Sequence, residues 1–216
     1  ARPLDAYVET FFDGFEHQDY ARFYTLRSGT PTVTYPSNGE NGGHVISIQG
    51  QGWFASKANI PYDPDALYMM TIKARQKVAG TGGANEGFYA GVECFAADGT
   101  TNINTSGANN PTSSQHYFCR SNFDLGAGAS PITTWQTFRG YLSGLGSSPG
   151  PLPAPDITNP CEAYASGGTV TKFIRPLFIA NFTGGTGTVE IDYVRIDKVI
   201  RSENIGPNAA TDVVVT

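Results

Sequence analysis

Two pairs of carboxylates are spaced closely enough to suggest shared chemistry: Asp13 with Glu16, and Glu190 with Asp192. Two carboxyl groups flanking a glycosidic bond can hydrolyse it, one as acid and the other as base or nucleophile. Here each pair sits near the end of a strand-like run, with no aromatic-lined cleft evident beside it. His17, His44 and His116 stand alone, outside any HExxH spacing, and read as loop or strand-edge residues. No GxSxG elbow occurs. The glycine-rich stretches GTGGANEG (80–87) and GLGSSPG (144–150) do not lie between a strand and a helix, so they read as turns and not as phosphate cradles. The expectation is a protein that is not an enzyme.

Cys94, Cys119 and Cys161 fit no zinc spacing, and their odd number leaves at least one thiol unpaired. Cys94 alternates with Val92 and Ala90 and reads as a core thiol. Cys119 and Cys161 lie in or beside long loops and would be able to pair in an oxidising compartment; the sequence leaves both states open. The sequons NTS (104–106) and NFT (181–183) matter only in a eukaryotic secretory route.

The chain has 216 residues, a length that suits one all-β domain. Only 15% of residues are charged, while 26 Gly, 13 Phe and 11 Tyr suit a sheet protein with many turns. A net charge of −5 without a Lys/Arg cluster argues against a nucleic-acid partner, whose affinity comes mainly from neutralised phosphates. No run approaches 18 apolar residues, so no membrane insertion is expected. The N-terminal ARPLDAYVET lacks the basic and then apolar pattern of an export signal.

Helical periodicity is nearly absent, and strands must build the fold. The candidates are 43–49, 67–79, 87–97, 116–125, 135–143, 170–182 and 188–200, each rich in β-branched or aromatic residues and bounded by turn signals. Alternation places Ile46 and Ile48 on one face, and Phe88, Ala90, Val92 and Cys94 on one face. Seven to nine half-buried strands predict a two-sheet antiparallel β-sandwich. Two long polar stretches, 98–114 and 143–168, read as loops inserted between strands. A single domain over 1–200 is expected, followed by a connecting segment, 201–216.

The order of motifs is more telling than any one of them. FFDGFEHQ (11–18), GGHVISIQG (42–50), DALYMMTIKAR (65–75), TTWQTFRGYLSG (133–144) and GTVEIDYVRID (187–197), in that order, resemble the jelly-roll, galactose-binding-like superfamily of carbohydrate-binding modules. The resemblance implies that the two chain ends lie side by side around a structural calcium ion. Glu16 and Asp192 match the family's glutamate and aspartate, and Asp13 replaces its asparagine while keeping an oxygen donor. A hard cation wants six to eight oxygens, which two carboxylates and carbonyls of the NGGH turn would help to supply. The alternative is that both acids, with Glu190 and Asp197, are solvated at a sheet edge.

A narrower resemblance joins GFYAGVECFAADGT, the GYLSG segment and FIRPLFIANFTGGTGTVEIDYVRI to domains of bacteriophage tail-fibre and tail-tip host-specificity proteins. It implies a virion or extracellular setting, a bacterial surface glycan as partner and a homotrimeric full-length protein. Two rivals stay open: a structural or decorating fibre domain that binds no sugar, and the accessory module of a secreted polysaccharide-active enzyme.

Sugar-binding sandwiches stack aromatic faces on pyranose rings and surround them with polar groups. Trp53, flanked by Gly and polar residues, is the candidate for an exposed ring, or else caps one end of the core. Tyr89 and Glu93 share one strand face, and Tyr117 and Arg120 begin the strand after the polar loop; together they would line a groove, or the two tyrosines are buried with hydroxyls at the edge. Trp135 reads as structural. In the C-terminal pair of strands, Gly184, Gly185 and Gly187 predict a hairpin turn. Glu190 and Arg195 are expected on opposite faces at the solvent edge, and Arg175 requires a buried partner or a ligand.

Overall fold

The computed structural model describes residues 6–78, 87–103, 115–124, 132–147, 150, 152–182 and 186–200. Along the chain run β1 (Ala6–Asp13), the four-residue helix α1 (Tyr20–Phe23), β2 (Tyr24–Gly29), β3 (Thr32–Thr34), β4 (Ile46–Gln49), β5 (Gly52–Ser56) and β6 (Ile60–Pro61). They are followed by β7 (Leu67–Val78), β8 (Gly87–Phe95), β9 (Gln115–Asp124), β10 (Gln136–Gly146), β11 (Cys161–Ser166), β12 (Thr169–Val170), β13 (Phe173–Ala180) and β14 (Thr188–Ile200).

These strands form two sheets, a β-sandwich of the jelly-roll class. The first runs β12-β11-β10-β7-β14-β4-β3, with β1 also on β14; the second runs β2-β5-β13-β8-β9, with β6 also on β13. Pairing is antiparallel throughout the described residues except between β10 and β11, which are parallel. All seven expected strands are present. The second polar stretch is not strand-free, because its end forms β11. Residues 104–114 of the first stretch, Gly184 and Gly185 of the expected hairpin, and 201–216 lie outside the described residues.

Alternation decides what is buried. Ile46 and Ile48 of β4, and Phe88, Ala90, Val92 and Cys94 of β8, have no solvent exposure and face the space between the sheets. An aromatic cluster fills one end of that space: Phe54 stacks on Phe178 at 5.3 Å, and Phe15 meets Phe178 edge-on at 6.1 Å. Pro176, which has no N–H to give to a ladder, falls between the stretch of β13 paired with β6 and the stretch paired with β5. At Gly140 a β-carbon would overlap the Phe118 carbonyl, so glycine lets β10 run against β9.

One irregularity organises the long last strand. On one edge β14 pairs with β7; its other partners are β4 over Thr188–Ile191 and β1 over Val194–Ile200. Between those two stretches the register slips, and Asp192 has no partner in β7. This is a β-bulge, and it reverses parity: Val189 and Ile191 face the core before it, Val194 and Ile196 after it. Glu190 and Arg195 therefore share the outward face, contrary to the sequence expectation of opposite faces.

Candidate functional site

The outer face of the second sheet gathers most of the chemistry. Phe54, Phe178 and Ala90 are register partners across β5, β13 and β8 and point inward; one residue on, Trp53, Ile179 and Tyr89 are register partners and point outward. Tyr117 of β9 lies with its ring 4.9 Å from that of Tyr89. Phe182, just after β13, sits 5.2 Å from Tyr89 and 5.3 Å from Trp53. The four rings make a row across the sheet, in the order Trp53, Phe182, Tyr89, Tyr117.

Four residues from that row along β8 and β13, on the same face, stands a charged group. Arg175 and Glu93 are register partners, and Arg27 donates through Nη2 to Glu93 Oε2 at 2.8 Å. Arg27 occupies the slip between β2 and β5, which lets its side chain reach across the sheet. Between rings and charges lies a low apolar floor, where buried Leu177 faces Gly91, a residue without a side chain. Burial, and then the neighbouring Tyr89 and Glu93, push the Tyr117 hydroxyl far above the usual tyrosine range, so it stays protonated as a donor. Partly exposed rings, a phenol and a held guanidinium are what a polyhydroxylated ligand needs: stacking surfaces and directional donors.

The sequence-predicted residues divide accordingly. Tyr89, Glu93 and Tyr117 come together. Trp53 joins them but is only 8% exposed, because the Phe182 ring is stacked against it; its indole N–H has no acceptor among the described residues. Arg120 is placed elsewhere: it is the register partner of core-facing Ala90, and its guanidinium lies 4.7 Å over the Phe138 ring of β10. Sequence reasoning missed Phe182 and Arg27. Phe182 follows Asn181, whose left-handed φ of 52° turns the chain out of β13.

Arg175 needs no ligand. Its Nε donates to Asn59 Oδ1 and its Nη2 to the Gly99 carbonyl, both at 2.7 Å, and its guanidinium rests 4.0 Å above the Phe95 ring. Burial lowers its pKa, while Glu93 opposes that shift.

A second group lies where β1 and β14 meet the 38–44 turn. The Glu16 carboxylate accepts from the His44 N–H at 2.9 Å and pairs with His44 Nδ1 at 3.0 Å, which lowers its pKa. Gly39 and Gly43 bring the turn so close that a β-carbon would press on Asp192 Oδ1 at the first and Glu16 Oε1 at the second. Burial raises the pKa of Asp192; Lys73, itself ion-paired with Glu40, lowers it, and Glu16 raises it further. Asn38 Oδ1 is buried and has no hydrogen-bond partner among the described residues.

These oxygens fit a hard cation in type: two carboxylates, an orphan amide oxygen and the Gly43 carbonyl. Asp13 is not among them. Its Oδ1 accepts the Phe15 N–H at 2.7 Å, holding Phe15 at a left-handed φ of 59°, and its Oδ2 pairs with His17 Nε2 at 3.0 Å. Among the described residues no group of three or more His, Cys, Asp or Glu side chains converges as a metal site.

Glu190 and Asp197 are buried, not edge residues. Glu190 has no exposure and is held by Arg75 Nε at 2.8 Å, Lys77 Nζ at 3.0 Å and Asn38 Nδ2 at 3.0 Å. Burial works to raise its pKa, but these donors outweigh it and hold the carboxyl low. Trp135 stacks on Arg75 at 4.3 Å, in keeping with a structural role. Asp197 is gripped by Arg195 Nε at 2.8 Å. None of the three cysteines is in a disulfide and all are buried, so Cys119 and Cys161 are not joined. Asn181 of the NFT sequon is fully buried, its side chain donating to the Gly50 and Gly187 carbonyls.

No protein-family model matches the chain, and no curated protein matches it by sequence. Solved structures resemble it in fold. The CBM22-1 xylan-binding domain of Paenibacillus barcinonensis Xyn10C is 12% identical with a TM-score of 0.49, over 93% of this chain and 99% of that one. A carbohydrate esterase of the Shiga toxin-encoding bacteriophage phi24B is 12% identical with a TM-score of 0.49, over 89% and 99%. The enzymatically active domain of bacteriophage CBA120 tailspike protein 4 is 11% identical with a TM-score of 0.49, over 88% of this chain and 21% of that one. At such identities the likeness concerns the fold alone.

Proposed function

We propose that the chain is a non-catalytic carbohydrate-binding module whose glycan lies on the outer face of the second sheet. One observation carries this reading: the four-ring row Trp53, Phe182, Tyr89, Tyr117 stands beside Arg27 and Glu93 on a single sheet face. A glycosidase of the common kind needs two facing carboxyl groups, whereas Glu93 is paired with Arg27 and stands across the ladder from Arg175. The setting in a phage tail, with a bacterial surface polysaccharide as ligand and a homotrimeric parent, is supported by the motif order in the sequence. A structural calcium ion held by Glu16 and Asp192 belongs to the same reading and is supported by the oxygens that meet at the 38–44 turn.

A glycan array containing plant and bacterial polysaccharides tests the proposal. Binding by the natural chain, lost when Tyr89, Tyr117 and Phe182 are changed together to Ala, is the expected result. Binding that survives the triple change overturns the site, and no binding to any glycan overturns the function.

A second reading has its own observation. Tyr7, Val8 and Phe12 of β1 are exposed, Phe12 at 53%, an apolar edge suited to packing against a neighbouring chain in a fibre. Sedimentation velocity separates the two: self-association abolished by Tyr7→Ser with Phe12→Ser, together with no glycan binding, would favour the fibre domain.

A further inference from the structure

We infer that the glycan surface continues beyond the aromatic row, over the rim of the sandwich, into a polar groove that takes the next sugars of a neutral polysaccharide chain. The inference rests on the glycan-binding reading and names the class of glycan. The groove has a volume of about 540 Å³ and is lined by Thr30, Thr32, Thr186, Gln49 and Gln51, with Gly29 and Gly50 at its turns. That volume is within the range of small-ligand sites.

Its chemistry is selective. None of the lining residues carries a charge, so an acidic sugar finds no counter-ion there. Threonine hydroxyls and glutamine amides each donate and accept, which matches hydroxyl groups that do the same. The groove has no ring to stack on, so its grip is hydrogen bonding alone and is weak unless the ligand is also held next door.

Its position supplies that neighbour. Gln51 Nε2 donates to the Phe182 carbonyl at 2.8 Å, and Gly29 and Ser28 are the register partners of Gly52 and Trp53. The groove thus begins where the Trp53 and Phe182 end of the row stops. Its base is also held in shape. Asn181 Nδ2 donates to the Gly50 carbonyl at 2.8 Å and the Gly187 carbonyl at 3.1 Å, and the Gly50 N–H donates to Gly187 at 3.1 Å. Gly29 and Gly50 have φ of 90° and 83°, left-handed values that favour glycine at both turns. A ligand that uses row and groove together is a chain bound along its length, not a terminal sugar.

Affinity electrophoresis of the whole chain tests this, in gels cast with xylan, mixed-linkage β-glucan or galactomannan as neutral polymers and polygalacturonate as the acidic one. Thr32→Ala combined with Gln49→Ala alters two exposed side chains, and an unchanged melting temperature confirms that the fold is kept. The expected result is retardation by at least one neutral polymer, weakened about tenfold by the double substitution, the loss of two hydrogen-bonding groups. Equal retardation of natural and double-substituted chains, or retardation by polygalacturonate alone, overturns the groove while leaving the aromatic face standing. Retardation in no gel overturns both.

Discussion

Trp53 and Tyr89 are register partners of one residue, Ile179, on either side of β13. Their separation is therefore fixed by two strand spacings, about 9.6 Å. The ring of Phe182 divides that span almost evenly, 5.3 Å from one and 5.2 Å from the other. Phe182→Ala should uncover the indole of Trp53, which is 8% exposed in the native chain. Tryptophan emission is expected to shift to the red and to become quenchable by acrylamide; unchanged emission would mean that another group shields the ring.

Glu190 of the first sheet is fully buried and paired with two cations, Arg75 and Lys77. Replacing it with Gln leaves Arg75 and Lys77 without their shared counter-ion. Breaking a buried pair costs about 3–5 kcal/mol; since Arg75 and Lys77 keep contact with water, 20% and 48% exposed, the lower end is expected. The native pKa of Glu190 is depressed, so its contribution is present above the unfolded pKa and is lost as pH falls through the folded value. Urea unfolding should show the natural chain losing stability on acidification and the Glu190→Gln chain losing less.

Asp192 has the opposite sign. Its native pKa is raised, so its contribution is present at low pH and is lost as pH rises through the folded value. A bound cation would reverse that penalty. Calcium at about a hundred times its dissociation constant should stabilise the natural chain by about 2.7 kcal/mol, and Asp192→Asn should abolish that increment. A melting temperature that ignores both calcium and chelator would show that no cation binds and that Lys73 and Arg75 are the counter-charges to this acid.

Gly140 is required by contact and not by backbone angle. Gly140→Ala drives a β-carbon into the Phe118 carbonyl and should cost about 1–3 kcal/mol. Chemical denaturation at neutral pH measures this; a loss under about 0.5 kcal/mol, the range of ordinary surface changes, would mean that β9 and β10 can separate without penalty.

The thiols offer a direct check on the core. Burial pushes the Cys94 thiol up to about 11, and Cys119 and Cys161 are also raised by burial. An aromatic disulfide reagent at pH 8 should find little to react with in the native chain and all three thiols in denaturant, whether or not a reductant was used first. An increase after reduction would reveal a disulfide.

The sandwich was legible because its strands follow a period of two: β8 and β4 bury the residues that alternation selects. The short edge strands β3, β6 and β12 were not, since two or three residues carry no periodic signal. Tyr89, Glu93 and Tyr117 were legible as one surface because they lie on neighbouring strands. Arg27 and Phe182 were not, because each depends on an irregularity, a slip in β2 and a left-handed residue after β13, that alternation does not encode. Arg120 was misplaced for the same reason, as β8 and β9 slip twice against each other.

The bulge at Asp192 gives β14 something like a reading frame. Were the strand to run through Asp192 without the bulge, Tyr193, Arg195 and Asp197 would turn toward the core and Val194 and Ile196 toward water, while everything up to Ile191 stayed in place. A substitution at Asp192 tests a charge; a deletion there would join Ile191 to Tyr193 as neighbours already in step with Ala74 and Lys73, removing the bulge and leaving each later side chain on its own face.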